Sequence, residues 1–550
     1  MIATGYTDTF ARDNLPPRDQ WPDMEPTLPE LRYPDRLNCA AALLDEMVAK
    51  GHGASPAIHS HEGSWTYAEL LEKVDRIAHV LRGPLGLQAG NRVLLRGANS
   101  PMMAACALAV LKAGCILVPT MPLLRAKELS VVIGKARVNA VLCSAALAEE
   151  LELARSQTGM AGPSLYFGDA GAAGSLEQMM ASQPASFGAA DTAADDVCII
   201  GFTSGTTGVP KGTMHFHRDV LAICDCFPRS TLRSEASDVF IGTPPLAFTF
   251  GLGGLLLFPL RVGASAVLLE KLTPDLLLKA IQDFRATVCF TAPTFYRLMA
   301  PLAQGYRLAS LKKAVSAGEA LPKATRTLWR ESTGLEIIDG IGATEMLHIF
   351  ISAAGDEVRP GATGKAIPGY QACVLGPDGE ALPPGEVGQL AVKGPTGCRY
   401  LDDARQQQYV RNGWNLTGDA YRMDQDGYFW YHARTDDMII SAGYNIAAPE
   451  VEEALMCHAA VAECAVVGWP DEERGQIVKA FVVLRPGHAA GAELARALQE
   501  HVKQTVAPYK YPRAVEFLDA LPRTQSGKLQ RHVLRSAAQV ASNRNKQAGQ

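Results

Sequence analysis

The stretch that decides the fold runs from residue 203 to residue 212 and reads Thr203-Ser204-Gly205-Thr206-Thr207-Gly208-Val209-Pro210-Lys211-Gly212. Its glycines allow turns that direct successive backbone N–H groups inward, the hydroxyl side chains add short donors, and Lys211 adds a positive charge. Residues 197–202 are an apolar run, which predicts a buried strand directly before the loop. A donor-rich loop at the end of a buried strand suits polyphosphate oxygens, so we interpret it as a nucleotide-binding loop; a polar surface loop is the alternative.

The loop does not have the spacing of a P-loop, in which a first glycine precedes Gly-Lys-Ser/Thr by four residues. Lys211 follows Pro210, and the other Gly-Lys pair, Gly527-Lys528, has Pro522 at the position of that first glycine. A different kind of phosphate-binding loop is therefore expected.

Strands and helices alternate over the first 300 residues. Residues 92–95 predict a strand, Asn99-Ser100-Pro101 a helix cap, residues 102–112 an apolar helix and residues 115–119 a returning strand. This is a βαβ unit, and residues 140–143, 197–202, 264–269 and 287–291 are further candidates for buried strands. The pattern predicts an α/β fold with doubly wound, largely parallel sheets.

Two changes in composition along the chain predict further structural units. Glycine and proline become frequent after residue 360, with short strand patterns such as residues 389–393, which indicates a β-rich subdomain or small barrel at about residues 360–430. From residue 437 a helix, two strands (residues 461–467 and 479–484) and an amphipathic helix predict a small α+β domain. We place the boundary at Asp436, which gives domains 1–436 and 437–550.

Composition limits the class of protein. The 550 residues are 47% hydrophobic and 20% charged, as in soluble globular proteins, and the net charge of −5 gives no basic face for nucleic acid. Residues 1–36 have no signal-peptide pattern, and the apolar stretches 102–124 and 246–260 are interrupted or too short for a membrane span. We expect a cytoplasmic protein whose twelve cysteines, which lack C-x-x-C or zinc-ligand spacing, are reduced and mostly buried.

Six further stretches share their order with the adenylate-forming enzymes, a family that includes acyl- and aryl-CoA ligases, luciferases and peptide-synthetase adenylation domains. The loop at residues 203–212 resembles the phosphate loop of that family, and the resemblance extends from about residue 55 to residue 535. The six stretches are residues 316–322, 339–345, 414–419, 433–437, 441–446 and 521–528.

The resemblance implies ATP, Mg2+ and coenzyme A as ligands. It implies that the following residues bind ATP: Thr203, Ser204, Gly205, Thr206, Thr207, Gly208, Lys211, Gly318, Glu319, Ala320, Asp339, Gly340, Asp419 and Arg434. Thr344 would bond the α-phosphate, Glu345 would hold Mg2+, and Lys528 would be the adenylation lysine. The resemblance also implies a mobile C-terminal lid domain, with Asp436 at the hinge and Gly443 at the CoA tunnel.

The sequence after Glu345, Met346-Leu347-His348-Ile349-Phe350, resembles benzoate-CoA ligases. This resemblance implies an aryl pocket lined by Phe248, Thr249, Phe250, Gly342, His348 and Ile349. Residues 15–22 and 120–129 resemble 2-aminobenzoate-CoA ligases. The expected substrate is therefore a small aromatic carboxylate, although a core histidine with satisfied hydrogen bonds is the alternative interpretation of His348.

The chain also departs from the family pattern. Ile341 replaces a tyrosine, Ala433 replaces a glycine, and Ile440 and Ala442 stand where some members carry lysines, so the roles of those residues are not transferred. We expect an ATP-dependent ligase that makes 2-aminobenzoyl- or benzoyl-CoA. The alternatives are a medium-chain fatty acyl-CoA ligase, an aryl adenylation enzyme that loads a carrier protein, and a non-catalytic binding protein; a homodimer is compatible with the sequence.

Overall fold

The computed structural model describes residues 1–203, 210–434, 437–441, 444–471, 474–506, 508–523, 529–531 and 533–535. The chain divides into two compact units: the first contains Met1–Ala372 and Ala391–Leu416, and the second contains Cys373–Leu390 and Thr417–Gln550. The predicted fold class, α/β with doubly wound sheets and a small α+β C-terminal part, is confirmed: the structure has several parallel sheets and a separate C-terminal sheet region. The boundary at Asp436 stays a prediction, since Asp436 lies outside the described residues.

A nine-stranded sheet in the first unit carries much of the predicted site. Its six central strands are parallel, and antiparallel partners extend it at both edges. In spatial order the strands are Lys365–Ala366, Ile349–Ser352, Ile337–Gly342, Lys313–Ser316, Val288–Thr291, Val239–Gly242, Ser265–Val267, Pro56–Ser60 and Gly63–Thr66.

A six-stranded sheet of the first unit contains the predicted βαβ unit. In spatial order its strands are Ser164–Phe167, Ala140–Ser144, Arg92–Arg96, Ile116–Thr120, Val197–Thr203 and Lys211–Phe216. Arg92–Arg96 and Ile116–Thr120 are buried along their whole length, as expected for parallel strands covered on both faces. The hydroxyl of Ser100 accepts from the backbone N–H of Met103 at 3.2 Å and caps the connecting helix.

The predicted nucleotide-binding loop connects two strands of this sheet. Val197–Thr203 pairs in parallel with Ile116–Thr120 and antiparallel with Lys211–Phe216. The chain therefore leaves the loop as a second strand, whereas a P-loop is followed by a helix.

The remaining sheets contain the glycine-rich and C-terminal segments. A five-stranded sheet joins Gln371–Leu375, Val387–Lys393, Trp414–Met423 and Val410–Arg411, with Phe429–Arg434 paired to Trp414–Met423. The second unit also contains a hairpin of Met438–Ser441 and Tyr444–Ala447, and a three-stranded sheet of Val461–Asp471, Gly475–Leu484 and Ala514–Phe517.

Helices connect these strands. The α-helices span Phe10–Asp13, Tyr67–Arg82, Pro101–Lys112, Ala126–Ala136, Ala148–Thr158, Leu176–Ala181, His217–Ser230, Thr249–Leu252, Phe258–Val262, Pro274–Asp283, Pro293–Met299, Lys323–Thr333, Gln406–Tyr409, Ala448–Met456 and Ala492–Thr505. Short 3-10 or π-helical turns span Arg18–Gln20, Pro29–Leu31, Ala41–Asp45, Val48–His52, Ala145–Leu147, Gly253–Leu257, Ala300–Gly305, Thr344–Met346, Gly355–Glu357 and Pro508–Lys510. Within the described ranges, every helix is too short or too polar to cross a membrane.

The cysteines match the prediction from their spacing. All twelve are free thiols, and nine are buried. Cys373 and Cys464 are half-buried and Cys457 is exposed. The thiols therefore belong mainly to the hydrophobic interior.

Candidate active site

Several predicted site residues of the first unit follow the carboxyl ends of strands in the nine-stranded sheet. Phe248 comes after Val239–Gly242, Gly318 after Lys313–Ser316, and Thr344 after Ile337–Gly342. These strands belong to the parallel part of the sheet, so their carboxyl ends lie at the same edge. Ligands of open α/β sheets bind outside that edge, which makes it the place to look for a substrate site.

Lys211 and Glu345 are brought together by a residue that lies between them, Tyr400. The Tyr400 hydroxyl accepts a hydrogen bond from Lys211 Nζ at 2.7 Å and donates one to Glu345 Oε1 at 2.5 Å. Lys211 Nζ is 3.7 Å from the same carboxylate oxygen and 4.6 Å from the centre of the Tyr400 ring. The side chains of Lys211 and Glu345 are 19% and 9% exposed, so this charge pair is largely shielded from water.

The backbone on either side of Tyr400 is held against the strand Lys211–Phe216. The backbone N–H of Met214 donates to the Arg399 carbonyl at 2.8 Å, and Arg399 is fully buried in an ion pair with Asp219. A buried ion pair is costly to break, since each partner would leave an uncompensated charge. The pairing therefore fixes where Tyr400 stands relative to Lys211.

Tyr400 stays protonated, because burial and then the charge of Glu345 raise the pKa of its hydroxyl well above the usual value. The hydroxyl is therefore a permanent donor to Glu345. The sequence does not single out Tyr400: its neighbours Cys398 and Arg399 form no recognisable motif with it, and its polar partners are distant along the chain.

Asp339 and Ser316 are register partners in adjacent parallel strands, and both are buried. Burial raises the pKa of Asp339 to about 7, while the charge of Arg326 and the backbone of Gly340 act in the opposite direction. Within the described part of the chain, Asp339 Oδ1 has no hydrogen-bond partner. A buried acceptor without a partner is costly, and a donor from a bound ligand would relieve that cost.

The turn after Lys313–Ser316 carries the residues predicted for the adenine side. Gly318 has a φ of +89°, a conformation that a side chain disfavours. Glu319 Oε2 accepts a hydrogen bond of 2.7 Å from the hydroxyl of Thr294. This bond ties the turn, which continues into Ala320, to the start of the helix Pro293–Met299.

His348 is enclosed by phenylalanine rings. Its ring centre is 4.4 Å from Phe258, 5.7 Å from Phe250, 5.9 Å from Phe227 and 6.3 Å from Phe290. Burial lowers the pKa of His348 to about 3, so the imidazole is neutral at physiological pH. We call this group the aromatic box.

Neither ring nitrogen of His348 has a hydrogen-bond partner within the described part of the chain. His348 is thus buried without the satisfied hydrogen bonds that the alternative interpretation assumes. Gly253 explains how the chain fits around it, because a Cβ at this position would lie 2.4 Å from His348 Cδ2. The box therefore contains an unpaired polar group in apolar surroundings, a combination common in ligand pockets.

The other predicted pocket residues lie close to this box in the chain. Phe248, Thr249 and Phe250 are half-buried at the start of Thr249–Leu252. Gly342 and Ile349 are register partners in antiparallel strands, and a Cβ on Gly342 would lie 2.7 Å from the carbonyl oxygen of His348. The structure brings Phe250 to His348 and Gly342 to Ile349, and their role as walls of an aryl pocket stays a prediction.

In the second unit, Asp419 and Arg434 are register partners in Trp414–Met423 and Phe429–Arg434. Arg434 Nη1 donates to Asp419 Oδ1 at 3.2 Å and to the Thr417 carbonyl at 3.1 Å. The arginine fixes the orientation of the carboxylate, which can then accept from two neighbouring hydroxyl groups, as on a ribose.

Eight predicted residues lie outside the described part of the chain, and their roles stay predictions. They are Ser204, Gly205, Thr206, Thr207, Gly208, Asp436, Gly443 and Lys528.

Comparison with known proteins assigns the family. The sequence-family model of the AMP-binding enzymes matches residues 45–399, and the family model of the AMP-binding enzyme C-terminal domain matches residues 450–528. The chain belongs to the AMP-binding, or adenylate-forming, enzyme family. The resemblance inferred from the seven sequence stretches is confirmed.

Relatives with named activities cover nearly the whole chain. A benzoate–CoA ligase of Thauera aromatica is 37% identical over 523 residues, which are 94% of this chain and 99% of the relative. The crystal structure of the anthranilate CoA ligase AuaEII in complex with anthranoyl-AMP has a TM-score of 0.87 at 33% identity and covers 93% of this chain and 99% of that one. A benzoate CoA ligase from Burkholderia xenovorans LB400 has a TM-score of 0.82 at 33% identity, with coverage of 91% and 100%.

Proposed function

We propose that this family member is an ATP-dependent aryl-CoA ligase that converts 2-aminobenzoate or benzoate to its CoA thioester, with release of AMP and pyrophosphate. The observation that carries the proposal is the aromatic box around His348, three residues after Glu345. Flat aromatic walls with one neutral imidazole suit a flat ring better than a flexible alkyl chain. Relatives named for benzoate and anthranilate support the same substrate class.

In the first half-reaction a carboxylate oxygen of the substrate attacks the α-phosphorus of ATP. The bond from that phosphorus to the bridging oxygen breaks, and pyrophosphate leaves with the electron pair. The substrate is its own nucleophile, so catalysis requires positioning and charge stabilisation. We assign Thr344 to the α-phosphate and Lys528 to the charge that develops between the carboxylate and that phosphate.

The residues around Glu345 fit a magnesium ion. A carboxylate is the kind of donor that Mg2+ prefers, and one or two carboxylates suffice when phosphates and water complete its shell. When bound, the ion would neutralise charge on the triphosphate. Tyr400 holds Glu345, and Lys211 supports the β- and γ-phosphates that leave as pyrophosphate.

Asp419 and Arg434 take the proposed role of holding the ribose, and Asp339 the adenine side. In the second half-reaction the thiol of coenzyme A attacks the acyl carbon, AMP leaves, and the thiol proton is released. Gly443 is assigned to the approach of the pantetheine arm and Asp436 to the hinge. The proposal also includes a division into domains 1–436 and 437–550 and a cytoplasmic location for the protein.

A panel of carboxylates tests the function. The untagged chain is incubated with ATP, Mg2+, CoA and 2-aminobenzoate, benzoate or hexanoate, and AMP, pyrophosphate and thioester are measured. We expect the two aryl acids to have the higher kcat/KM, and Glu345→Gln to serve as the inactive control. A clear preference for hexanoate would overturn the aryl assignment. Acylation of a holo-carrier protein in preference to CoA would favour the carrier-loading alternative.

A further inference from the structure

Three side chains with metal-binding atoms meet in the interior of the first unit. Cys39 precedes the turn Ala41–Asp45, Cys198 lies in Val197–Thr203, and His217 begins His217–Ser230. One ligand atom from each lies within 4.8 Å of the other two, and all three residues are fully buried. None of them has a role in the proposed ligase reaction.

The hydrogen bonds around His217 set its tautomer. The Tyr6 hydroxyl donates to the Val197 carbonyl at 2.8 Å, so its oxygen accepts from His217 Nε2 at 3.2 Å. The backbone N–H of Cys39 points at Nδ1 of the same ring at 3.2 Å, which requires Nδ1 to be an acceptor. Nδ1 therefore carries the lone pair, and it lies 3.1 Å from Cys39 Sγ.

The Nε2 side of this arrangement is the one a metal-ligating histidine uses, whereas Nδ1 accepts the backbone N–H of Cys39 and releases that hydrogen bond when it binds an ion. Such a histidine binds the ion through one nitrogen and donates from the other to an oxygen that orients the ring. Here Tyr6 supplies that oxygen, and Val197, next to Cys198 in the chain, in turn fixes Tyr6. The second hydrogen-bonding shell of a metal site is thus already built.

We propose that Cys39, Cys198 and His217 bind one soft, thiolate-binding metal ion, Zn2+ or Cu+. Ligands around one such ion lie about 3.5 to 4 Å apart, so His217 Nδ1 and Cys39 Sγ, which are 3.1 Å apart, would separate by about 0.5 Å to ligate it. Two thiolates and one neutral imidazole around Zn2+ have no net charge, which suits a buried place, and binding releases the two thiol protons. Three ligands satisfy a trigonal Cu+, whereas Zn2+ adds a small fourth ligand such as water.

The expected role of the ion is structural. It would join three segments that are distant in sequence: the residues just before the turn Ala41–Asp45, the strand Val197–Thr203, and the helix His217–Ser230. Such a link disfavours the unfolded chain and stabilises the native state by the free energy of metal binding.

Elemental analysis of the purified chain tests the site. The untagged full chain is purified with a thiol reductant and without chelator, and zinc and copper are measured by mass spectrometry. We expect about one ion per chain in the wild type and its loss in Cys39→Ala and Cys198→Ala. Cys106→Ala removes another buried free thiol and should keep the ion. Wild-type protein without zinc or copper overturns the proposal, and so does equal metal content in all four proteins.

A second measurement does not depend on whether the variants fold. Wild-type chain is unfolded with a chelator, freed of both reagents, and refolded with Co2+ under reducing conditions. Thiolate ligation gives a cobalt charge-transfer absorption in the near ultraviolet, and we expect it to disappear when zinc is added. Refolded protein without this absorption also overturns the proposal.

Discussion

The hydroxyl of Tyr400 donates a hydrogen bond of 2.5 Å to Oε1 of Glu345, and the same hydroxyl accepts from Lys211. Lys211 begins a strand of the six-stranded sheet, and Glu345 lies in the short turn Thr344–Met346 after a strand of the nine-stranded sheet, so they are not neighbours in the chain. Tyr400 sets their separation by bonding to both at once. It is therefore a positioning residue, which acts on the reaction through the lysine and the carboxylate.

Removal of that hydroxyl in Tyr400→Phe should slow adenylation and raise the Mg2+ concentration needed for half-maximal rate. A hydrogen bond to a charged group contributes about 1.5–3 kcal/mol, which corresponds to roughly a 10- to 100-fold effect. The measurement is pyrophosphate release at several Mg2+ concentrations with benzoate as substrate.

Tyr296→Phe is the matched control for this change. Tyr296 is also fully buried, and its hydroxyl lies within hydrogen-bond distance of two backbone carbonyls, those of Cys289 at 3.0 Å and Val315 at 3.1 Å. We expect the control to lower the melting temperature without changing the Mg2+ dependence. Equal Mg2+ dependence in wild type and Tyr400→Phe would contradict the positioning role.

Asp339→Asn should stabilise the unliganded chain increasingly as the pH rises from 4 to 7. The folded-state pKa is raised to about 7, so between the ordinary carboxyl value and 7 the folded chain holds a proton that the unfolded chain has lost. The stability of the wild type therefore falls with pH over this window by at most about 1.4 kcal/mol per pH unit, and the neutral asparagine avoids this loss. Melting temperatures of both proteins from pH 4 to pH 8 test this, and a difference that does not change with pH would contradict it.

His348→Leu should lower kcat/KM for 2-aminobenzoate more than for benzoate. The neutral imidazole can accept a hydrogen bond from the ortho-amino group, and one such bond contributes about 1 kcal/mol, or roughly fivefold. His348→Gln retains an acceptor and should show a smaller change.

The selectivity of the wild type between these two acids should not depend on pH between 5 and 8. The reason is that burial lowers the pKa of the His348 ring to about 3, so the ring does not titrate in this range. A change in the ratio of the two kcat/KM values near pH 6.5 would show that the ring is exposed to water when substrate binds.

A feature of the structure can be predicted from the sequence when residues that are close together in the chain determine it. The centres of the strands Arg92–Arg96 and Ile116–Thr120, residues 93–95 and 116–118, are apolar, so the parallel strands could be predicted from the chain itself. Thr344 and Glu345 could be proposed because the stretch 339–345 resembles a motif of the family. His348 could be proposed as a pocket residue, but the phenylalanines around it come from three separate segments, at residues 227, 249–262 and 290.

Features that arise from tertiary pairing could not be predicted. Tyr400 reaches Lys211 only because its backbone lies along Lys211–Phe216, and Cys39, Cys198 and His217 meet although no short spacing connects them. In both cases a long-range contact between segments decides the chemistry. The pattern of residues within any one segment does not predict that long-range contact.

Lys528→Ala should separate the two half-reactions. Lys528 lies outside the described residues, and its role is proposed from the stretch 521–528. Loss of a charge aimed at the developing transition state costs about 10²- to 10³-fold, so adenylation should fall by that factor. Thioester formation from supplied benzoyl-adenylate and CoA should be retained, because the acyl group is then already activated. Lys503→Ala is the control for loss of a positive charge: this half-buried lysine pairs with Glu500 on Ala492–Thr505, and its removal should leave both steps unchanged. Equal loss of both half-reactions in Lys528→Ala would count against the adenylation role, because a lysine needed for that step alone has no part in the attack of the thiol.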